Sequence, residues 1–335
     1  MPDSDSNYKN SSRIQKRIAF VYYNFSSFVK QDFEILSRHF KVIGVNFSGY
    51  VSIPEMAIAI ARSDITFSWF AGGHAFLAVL LSKVFKKKSV VVIGGFDVAY
   101  CPEINYGQYT QNWFKKMFTT FVLNEADLLL PVSDFTNKEI LQHSRPKKAK
   151  IIFNGVDVHN FIPHSEKENI VLMVASGCNV IKLKGIDTFI KAAGFFPQVW
   201  FKIVGLCEID IAHLKYSGIP NNVELLGYVS RDNLIEFYQR SKVYCQLSYR
   251  ESFGLAVAEA MSCGCTPVVA KKAALPEVVG DTGYFVPYGD VNESVKAIEL
   301  ALGSNMNSAA RKRIETLFPV ERREKRLIET LSELG

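Results

Sequence analysis

Short apolar runs of strand composition alternate with segments of helical spacing from Arg17 almost to the end of the chain, and this alternation leaves few folds open. Arg17 to Tyr23, Lys41 to Phe47, Ile65 to Trp69, Ser89 to Ile93, Leu128 to Val132 and Lys150 to Phe153 form a first series of strands. Gln31 to His39 and Ala75 to Phe85 are among the helical segments between them. Strands joined through helices pair in parallel, because each crossover returns the chain to the same end of the sheet. A second series follows Pro163: Asn169 to Ala175, Trp200 to Gly205, Val223 to Leu226, Val243 to Leu247, Pro267 to Ala270 and Gly283 to Val286. At 335 residues the chain is too long for one ordinary core, so the two series predict an α/β protein of two Rossmann-like halves.

Polar residues and Pro163 interrupt the pattern between Val156 and Glu168, which places the join there. Residues 1–12 are polar and read as a disordered leader without the apolar core of an export signal. No apolar run approaches the roughly 18 residues of a membrane span. A net charge of +6 suits anionic substrates or an acidic membrane face, and no nucleic-acid motif accompanies it, so no nucleic-acid partner is expected. The six cysteines (101, 178, 207, 245, 263 and 265) are scattered among apolar strands and small-residue turns. They read as buried reduced thiols of a cytoplasmic protein, and Cys263 and Cys265, one residue apart without a His cluster, make a poor zinc pattern.

The stretch from Arg250 to Ala270 carries the most chemistry. Glu251 precedes a helix and Glu259 lies inside it; Ser252 is the expected N-cap, Gly264 the expected stop, and Thr266-Pro267-Val268-Val269 the next buried strand. A helix N-terminus leaving a strand end offers unpaired N–H groups and the positive end of the helix dipole to an anion. Two carboxylates beside it accept hydrogen bonds from sugar hydroxyls, so phosphate and polyol are the indicated ligands. This segment resembles the signature of retaining glycosyltransferases of the GT-B fold, the family called group 1 or family 4: two glutamates with seven residues between them around a Phe-Gly-Leu turn.

The resemblance implies two Rossmann-like domains facing each other across a cleft, an acceptor-binding domain over 13–160 and a nucleotide-sugar domain over 161–318. It also implies that 319–335 forms a helix crossing back from Phe318-Pro319 to the first domain. In such enzymes Glu259 would hydrogen-bond the donor ribose and Glu251 the transferred sugar, while Phe253, Gly254 and Leu255 present backbone amides. Lys184, in Lys184-Gly185-Ile186-Asp187 at a helix start, would stabilise the departing diphosphate. The family's phosphate-binding Arg is replaced by Cys178 and Asn179; Lys182 either substitutes for it or is a solvated lysine. Gly205, Tyr228 and Val229 end strands on the ligand side, and at Tyr228 and Val229 the resemblance implies that the backbone holds the nucleotide base. Asn154-Gly155-Val156-Asp157 and Ala273-Ala274-Leu275-Pro276-Glu277 also match, the latter with Ala in place of both of the family's glycines.

The first half matches more loosely. Gly94-Gly95-Phe96-Asp97 stands where many members carry His-Gly before the Asp, so the usual catalytic-site His is missing. His74, one strand earlier, either lines the cleft or merely starts a helix. The loop Pro102 to Tyr109 suits sugar contacts, and Trp113 to Phe118 interleaves aromatics with Lys115 and Lys116 on a helix. With Lys86 to Lys88, that helix either rests on an anionic membrane face or turns its aromatics into the core. The reading is therefore a retaining, metal-independent glycosyltransferase without a cofactor, cytoplasmic or peripheral at the cytoplasmic membrane face. It would move a sugar from a nucleotide-sugar donor to a glycan or lipid-linked acceptor. The alternative is a non-catalytic protein of the same fold that binds nucleotide-sugar or assists a partner.

Overall fold

Strands that are apolar on both faces are buried only where helices cover both sides of their sheet. In a computed structural model that describes residues 16–164 and 166–334, this happens twice. The first domain runs β1 (Arg17–Tyr22), α1 (Ser27–His39), β2 (Lys41–Asn46), α2 (Ile53–Ala61), β3 (Ile65–Trp69), α3 (Gly73–Val84), β4 (Lys88–Ile93), α4 (Trp113–Glu125), β5 (Leu128–Pro131) and α5 (Asp134–His143). Its strands are parallel in the order β2-β1-β3-β4-β5.

The second domain begins β6 (Glu168–Gly177), α6 (Ile181–Lys184), α7 (Ile186–Ala193), β7 (Trp200–Leu206), α8 (Glu208–Tyr216), β8 (Val223–Leu225), α9 (Arg231–Arg240) and β9 (Ser241–Gln246). It continues α10 (Leu255–Ser262), β10 (Thr266–Ala270), α11 (Leu275–Val279), β11 (Tyr284–Val286), α12 (Val291–Leu302) and α13 (Asn307–Leu317), and the chain closes with α14 (Val320–Glu333). The second sheet is parallel in the order β11-β10-β9-β6-β7-β8. Each sheet reverses its order once, between β1 and β3 and between β6 and β9. Open α/β sheets bind ligands outside the carboxyl ends of the strands at such points.

Two expectations need adjustment. Lys150 to Phe153 is not a regular sixth strand of the first sheet: Lys150 N donates to Leu129 O (3.0 Å) and Ile152 N to Pro131 O (3.0 Å), but the segment then leaves for the second domain. The expected leader, residues 1–12, lies outside the described residues.

The chain crosses between domains twice, side by side. Val156 N donates to Phe318 O (2.8 Å) and Val320 N to Val156 O (2.9 Å). Gly155 is required at this crossing, since a Cβ would sit 2.6 Å from the Val320 Cα. Past it, α14 lies on the first domain and buries Arg323, Leu327 and Leu331, an i, i+4, i+8 stripe. Arg323 pairs bidentately with Asp32 of α1 (2.6 and 2.7 Å), whose Oδ2 also accepts from Trp69 Nε1 (2.9 Å). Lys16 Nζ caps the far end of α14 at the carbonyls of Leu331, Ser332 and Leu334. Among the described residues no helix is long and apolar enough to cross a membrane.

Candidate active site

The segments leaving β6 and β9, the strands at the reversal of the second sheet, carry Lys184 and Glu251. Lys184 ends the single turn α6, and Gly185 follows with φ of 68°. A Cβ at Gly185 would strike the Leu247 carbonyl, so glycine lets this turn press against the end of β9. The result is a built carboxylate site. Glu251 Oε1 accepts from Lys184 Nζ (2.7 Å), Gln246 Nε2 (2.9 Å) and Ser248 Oγ (2.9 Å), and Tyr244 OH donates to Gln246 Oε1 (2.7 Å). Tyr244, Gln246 and Ser248 alternate and therefore share one face of the strand. All three protein bonds fall on Oε1, which leaves Oε2 to accept from a ligand hydroxyl. Gln246 and Ser248 were missed in the sequence, although two polar residues alternating at the end of an apolar strand are a visible signal.

The helix after Glu251 starts later than expected. Gly254, with φ of 95°, is the N-cap of α10, not Ser252. Ser252 lies at the domain contact instead, where its carbonyl accepts from Thr136 Oγ1 (3.3 Å). Phe253 packs against Phe318 and Phe153 at the domain junction, so its side chain belongs to the core. Gly264, with φ of 76°, ends the helix as expected, and β10 follows.

Glu259 is buried one layer deeper than Glu251. Its Oε2 accepts from Tyr238 OH (3.3 Å). Burial pushes its pKa up to about 7, against the opposing pull of Arg231 and Tyr238. It faces a crevice of about 20 Å³ shared with Gln31, Gly155, Asp157, Arg231 and Leu255, which is separate from the main cleft.

That main cleft, of about 730 Å³, runs between residues 104–106 of the first domain and 178–183 of the second, with Asp187, Asp210 and His213 beyond. Lys182 is exposed on its wall, and its carbonyl accepts from Tyr288 OH (2.6 Å). The same wall corrects the expectation of six reduced thiols: Cys178 and Cys207 form a disulfide. Each stands one residue past the carboxyl end of its strand, and β6 and β7 are parallel neighbours, so the Cα atoms come within 5.4 Å. Cys101, Cys245, Cys263 and Cys265 are free and buried. Gly205, with φ of 97°, donates its N–H to the Gly227 carbonyl (3.0 Å), stitching the two strand-end turns together. Val229 packs partly into the core, whereas the Tyr228 side chain is 91% exposed. Lys272, not singled out from the sequence, holds its ammonium 3.6 Å from the Tyr249 ring centroid and 5.5 Å from that of Tyr288.

Across from these groups, the reversal of the first sheet opens a pocket of about 330 Å³ lined by Tyr23, Phe47, Phe70, His74, Phe96 and Asp97. His74 is buried and donates Nε2–H to the Trp69 carbonyl (2.7 Å). Burial lowers its pKa to about 4, so the ring is neutral at pH 7 and Nδ1 keeps its lone pair. Asp97 accepts from Gly95 N (2.6 Å) and Ala71 N (3.0 Å), fixing the loops after β4 and β3; burial raises its pKa.

The second domain grips α5 of the first at two points. Glu277 accepts from Asp134 N (2.8 Å) and Phe135 N (2.7 Å) at its N-terminus. Arg250 pairs with Glu139 further along and donates to the Gly95 carbonyl (3.0 Å). A third tie joins Tyr249 OH to the Glu103 carboxylate.

Residues 157–316 match the family model described as glycosyl transferases group 1. This segment is a group 1 glycosyl transferase domain. The group 1 domain spans the whole second sheet, including Lys184, Glu251 and Glu259. Over 217 residues the chain is 28% identical to the D-inositol 3-phosphate glycosyltransferase of Mycobacterium sp. (strain JLS), an alignment covering 58% of this chain and 49% of that one. It thus spans about half the length of that relative. It is 26% identical over 325 residues to the N-acetyl-alpha-D-glucosaminyl L-malate synthase of Bacillus anthracis, covering 85% and 81% of the two chains. Among solved structures it is similar to Anabaena HepE in complex with UDP and glucose, with a TM-score of 0.79 and 18% identity over 95% of this chain and all of that one. The architecture around the group 1 domain is the GT-B fold of two Rossmann-like domains.

Proposed function

We propose that the protein moves a sugar from a nucleotide-sugar donor to a glycan or lipid-linked acceptor, with retention of anomeric configuration and without a metal ion. The observation that carries this reading is Lys184 held 2.7 Å from Glu251 at the reversal of the second sheet. Lys184 neutralises the departing diphosphate, the task a metal ion performs in other transferases. Glu251, anchored through Oε1, receives a hydroxyl of the transferred sugar on Oε2. Glu259 receives the ribose, and the backbone of Phe253, Gly254 and Leu255 meets the sugar and phosphate. The acceptor hydroxyl attacks from the face the leaving group departs from, and a phosphate oxygen takes its proton. HepE, bound to UDP and glucose, makes UDP-sugars the first donors to test.

The aromatic lining of the first-domain pocket supports a glycosyl acceptor, since ring faces of Tyr23, Phe70 and Phe96 stack on pyranose C–H faces. A lipid-linked acceptor draws support from the start of α4, where Trp113, Phe114 and Met117 are exposed beside Lys115 and Lys116. Lys86 to Lys88 do not extend that patch. α3 and α4 run in the same direction, with Phe76 against Phe118 near one end and Lys83 paired with Glu125 at the other. The lysines after α3 therefore sit about 18 Å from Trp113 along the α4 axis.

A thermal-shift panel of UDP-, GDP- and ADP-sugars identifies the donor, because a ligand that binds only the native state raises its melting temperature. With that donor, transfer should be lost in Glu251→Gln and fall roughly 10²- to 10³-fold in kcat in Lys184→Ala. A product of inverted configuration overturns retention. Tight donor binding by the wild type with neither transfer nor donor hydrolysis favours the non-catalytic reading.

A further inference from the structure

Between the segment 150–154, which runs beside β5 after α5, and the start of α14 lies a pocket of about 220 Å³ that the proposed reaction does not use. Lys150, Asn154, Phe318, Arg322 and Arg326 contribute to its lining, and no acidic residue does. We propose that this pocket binds a phosphate group, carried by inorganic phosphate or by a small phosphate monoester.

The charges are poorly neutralised by the protein itself. Arg326 has no carboxylate partner among the described residues, Arg322 donates only to the Thr316 carbonyl (3.2 Å), and the carboxylate nearest Lys150 is that of Glu333 at 4.0 Å. Arg323 next to them is different, being satisfied by Asp32 and by the carbonyls of Ile152 and Phe153. Three cations on one small concave surface repel each other until an anion joins them. The first turn of α14 opens at the rim behind Pro319, which adds the positive end of a 14-residue helix.

An independent observation points the same way. Asn154 is only 9% exposed, yet its side-chain oxygen has no hydrogen-bond partner. A buried polar atom left unmet costs about 1–3 kcal/mol. That oxygen takes a hydrogen-bond donor, which a protonated phosphate oxygen or a ligand hydroxyl supplies. The volume admits a phosphate and a few further atoms but falls short of the roughly 300 Å³ at which pockets for larger ligands begin. Because both domain crossings border the pocket, a bound phosphate ties the outgoing segment to the returning one and holds α14 in its seat.

Titration calorimetry on the full chain, with inorganic phosphate and separately with glycerol 3-phosphate, tests this. The wild type should bind one equivalent and gain melting temperature. An R322Q/R326Q variant should lose about tenfold or more in affinity, as removal of charge-assisted bonds implies. Lys184→Ala should keep it, which separates this pocket from the donor site. Tighter binding of glycerol 3-phosphate names a monoester as the ligand; equal or weaker binding names the phosphate group alone. Lys150→Gln, on a different segment, should reproduce the loss and guards against a local folding defect. The proposal fails if neither compound binds the wild type up to about 10 mM, the edge of weak binding. It fails equally if affinity survives in R322Q/R326Q or is lost in Lys184→Ala.

Discussion

Glu259 is a carboxyl held where its charge is expensive. Its pKa rises from 4.5 to about 7 because burial outweighs Arg231 and Tyr238. Between those values the native state holds the proton more tightly than the unfolded chain, so the protein is most stable at and below pH 4.5 as far as this group is concerned. It loses that stability as pH rises through 7, by about 3 kcal/mol in all. Glu259→Gln should therefore be more stable than the wild type at pH 8 and nearly equal at pH 5, read from urea midpoints. With the donor ribose on Glu259 as proposed, donor binding should move the other way, since an ionised carboxylate is the better acceptor for two ribose hydroxyls. Affinity for the donor should climb from pH 6 to 8 in the wild type and stay flat and weak in the variant. At this scale the sequence is legible where chemistry is local, as in the spacing of Glu251 and Glu259. It is illegible where partners meet through the fold: Gln246 reaching Glu251, Lys272 over Tyr249, and Cys178 beside Cys207.

Helix α5 is the element on which the two domains close. Glu277 supplies the charge its N-terminus favours, and Arg250 holds Glu139 halfway along. Burial raises Glu139 to about 7 even with Arg250 beside it. Arg250→Ala should then destabilise in a pH-dependent way: little through Glu139 at pH 6, where that carboxyl is protonated with or without Arg250, and more at pH 8, where without Arg250 it must either take up a proton or stay buried as an unpaired charge. Denaturant unfolding at the two pH values measures the difference. The strands and most helices follow directly from apolar runs and helical spacing. The exceptions have local causes. Lys150 to Phe153 pairs with β5 through only a few bonds before departing, and Ser252 stands two residues ahead of the Gly254 N-cap of α10, with its Oγ accepting from Arg250 Nη1 (3.4 Å).

For the whole molecule, α14 decides how the halves stay together. Arg323 and Asp32, 3% and 0% exposed, lie 291 residues apart in sequence, so no local pattern announces their pairing. Arg323→Ala should cost about 3–5 kcal/mol by stranding Asp32, and Asp32→Asn in the same chain should recover part of it, a double-mutant cycle read by urea unfolding. The crevice of about 20 Å³ at Glu259 is closed in part by Gln31 of α1, so the ribose proposed for that carboxylate would need the domains to part before it could enter. Such an opening would strain the grips on α5, with the crossing at Val156 and Val320 as its pivot. The Cys178–Cys207 bond adds a dependence on surroundings. It joins the loop before Lys184 to the start of α8, and by the chain-entropy account a crosslink closing a loop of this length is worth about 3–4 kcal/mol. Dithiothreitol should lower the melting temperature of the wild type and raise its donor KM, and should leave a C178S/C207S variant unchanged. Assays run with and without a thiol would then be following two different molecules, and the electron balance of the solution would be one of the inputs this protein reads.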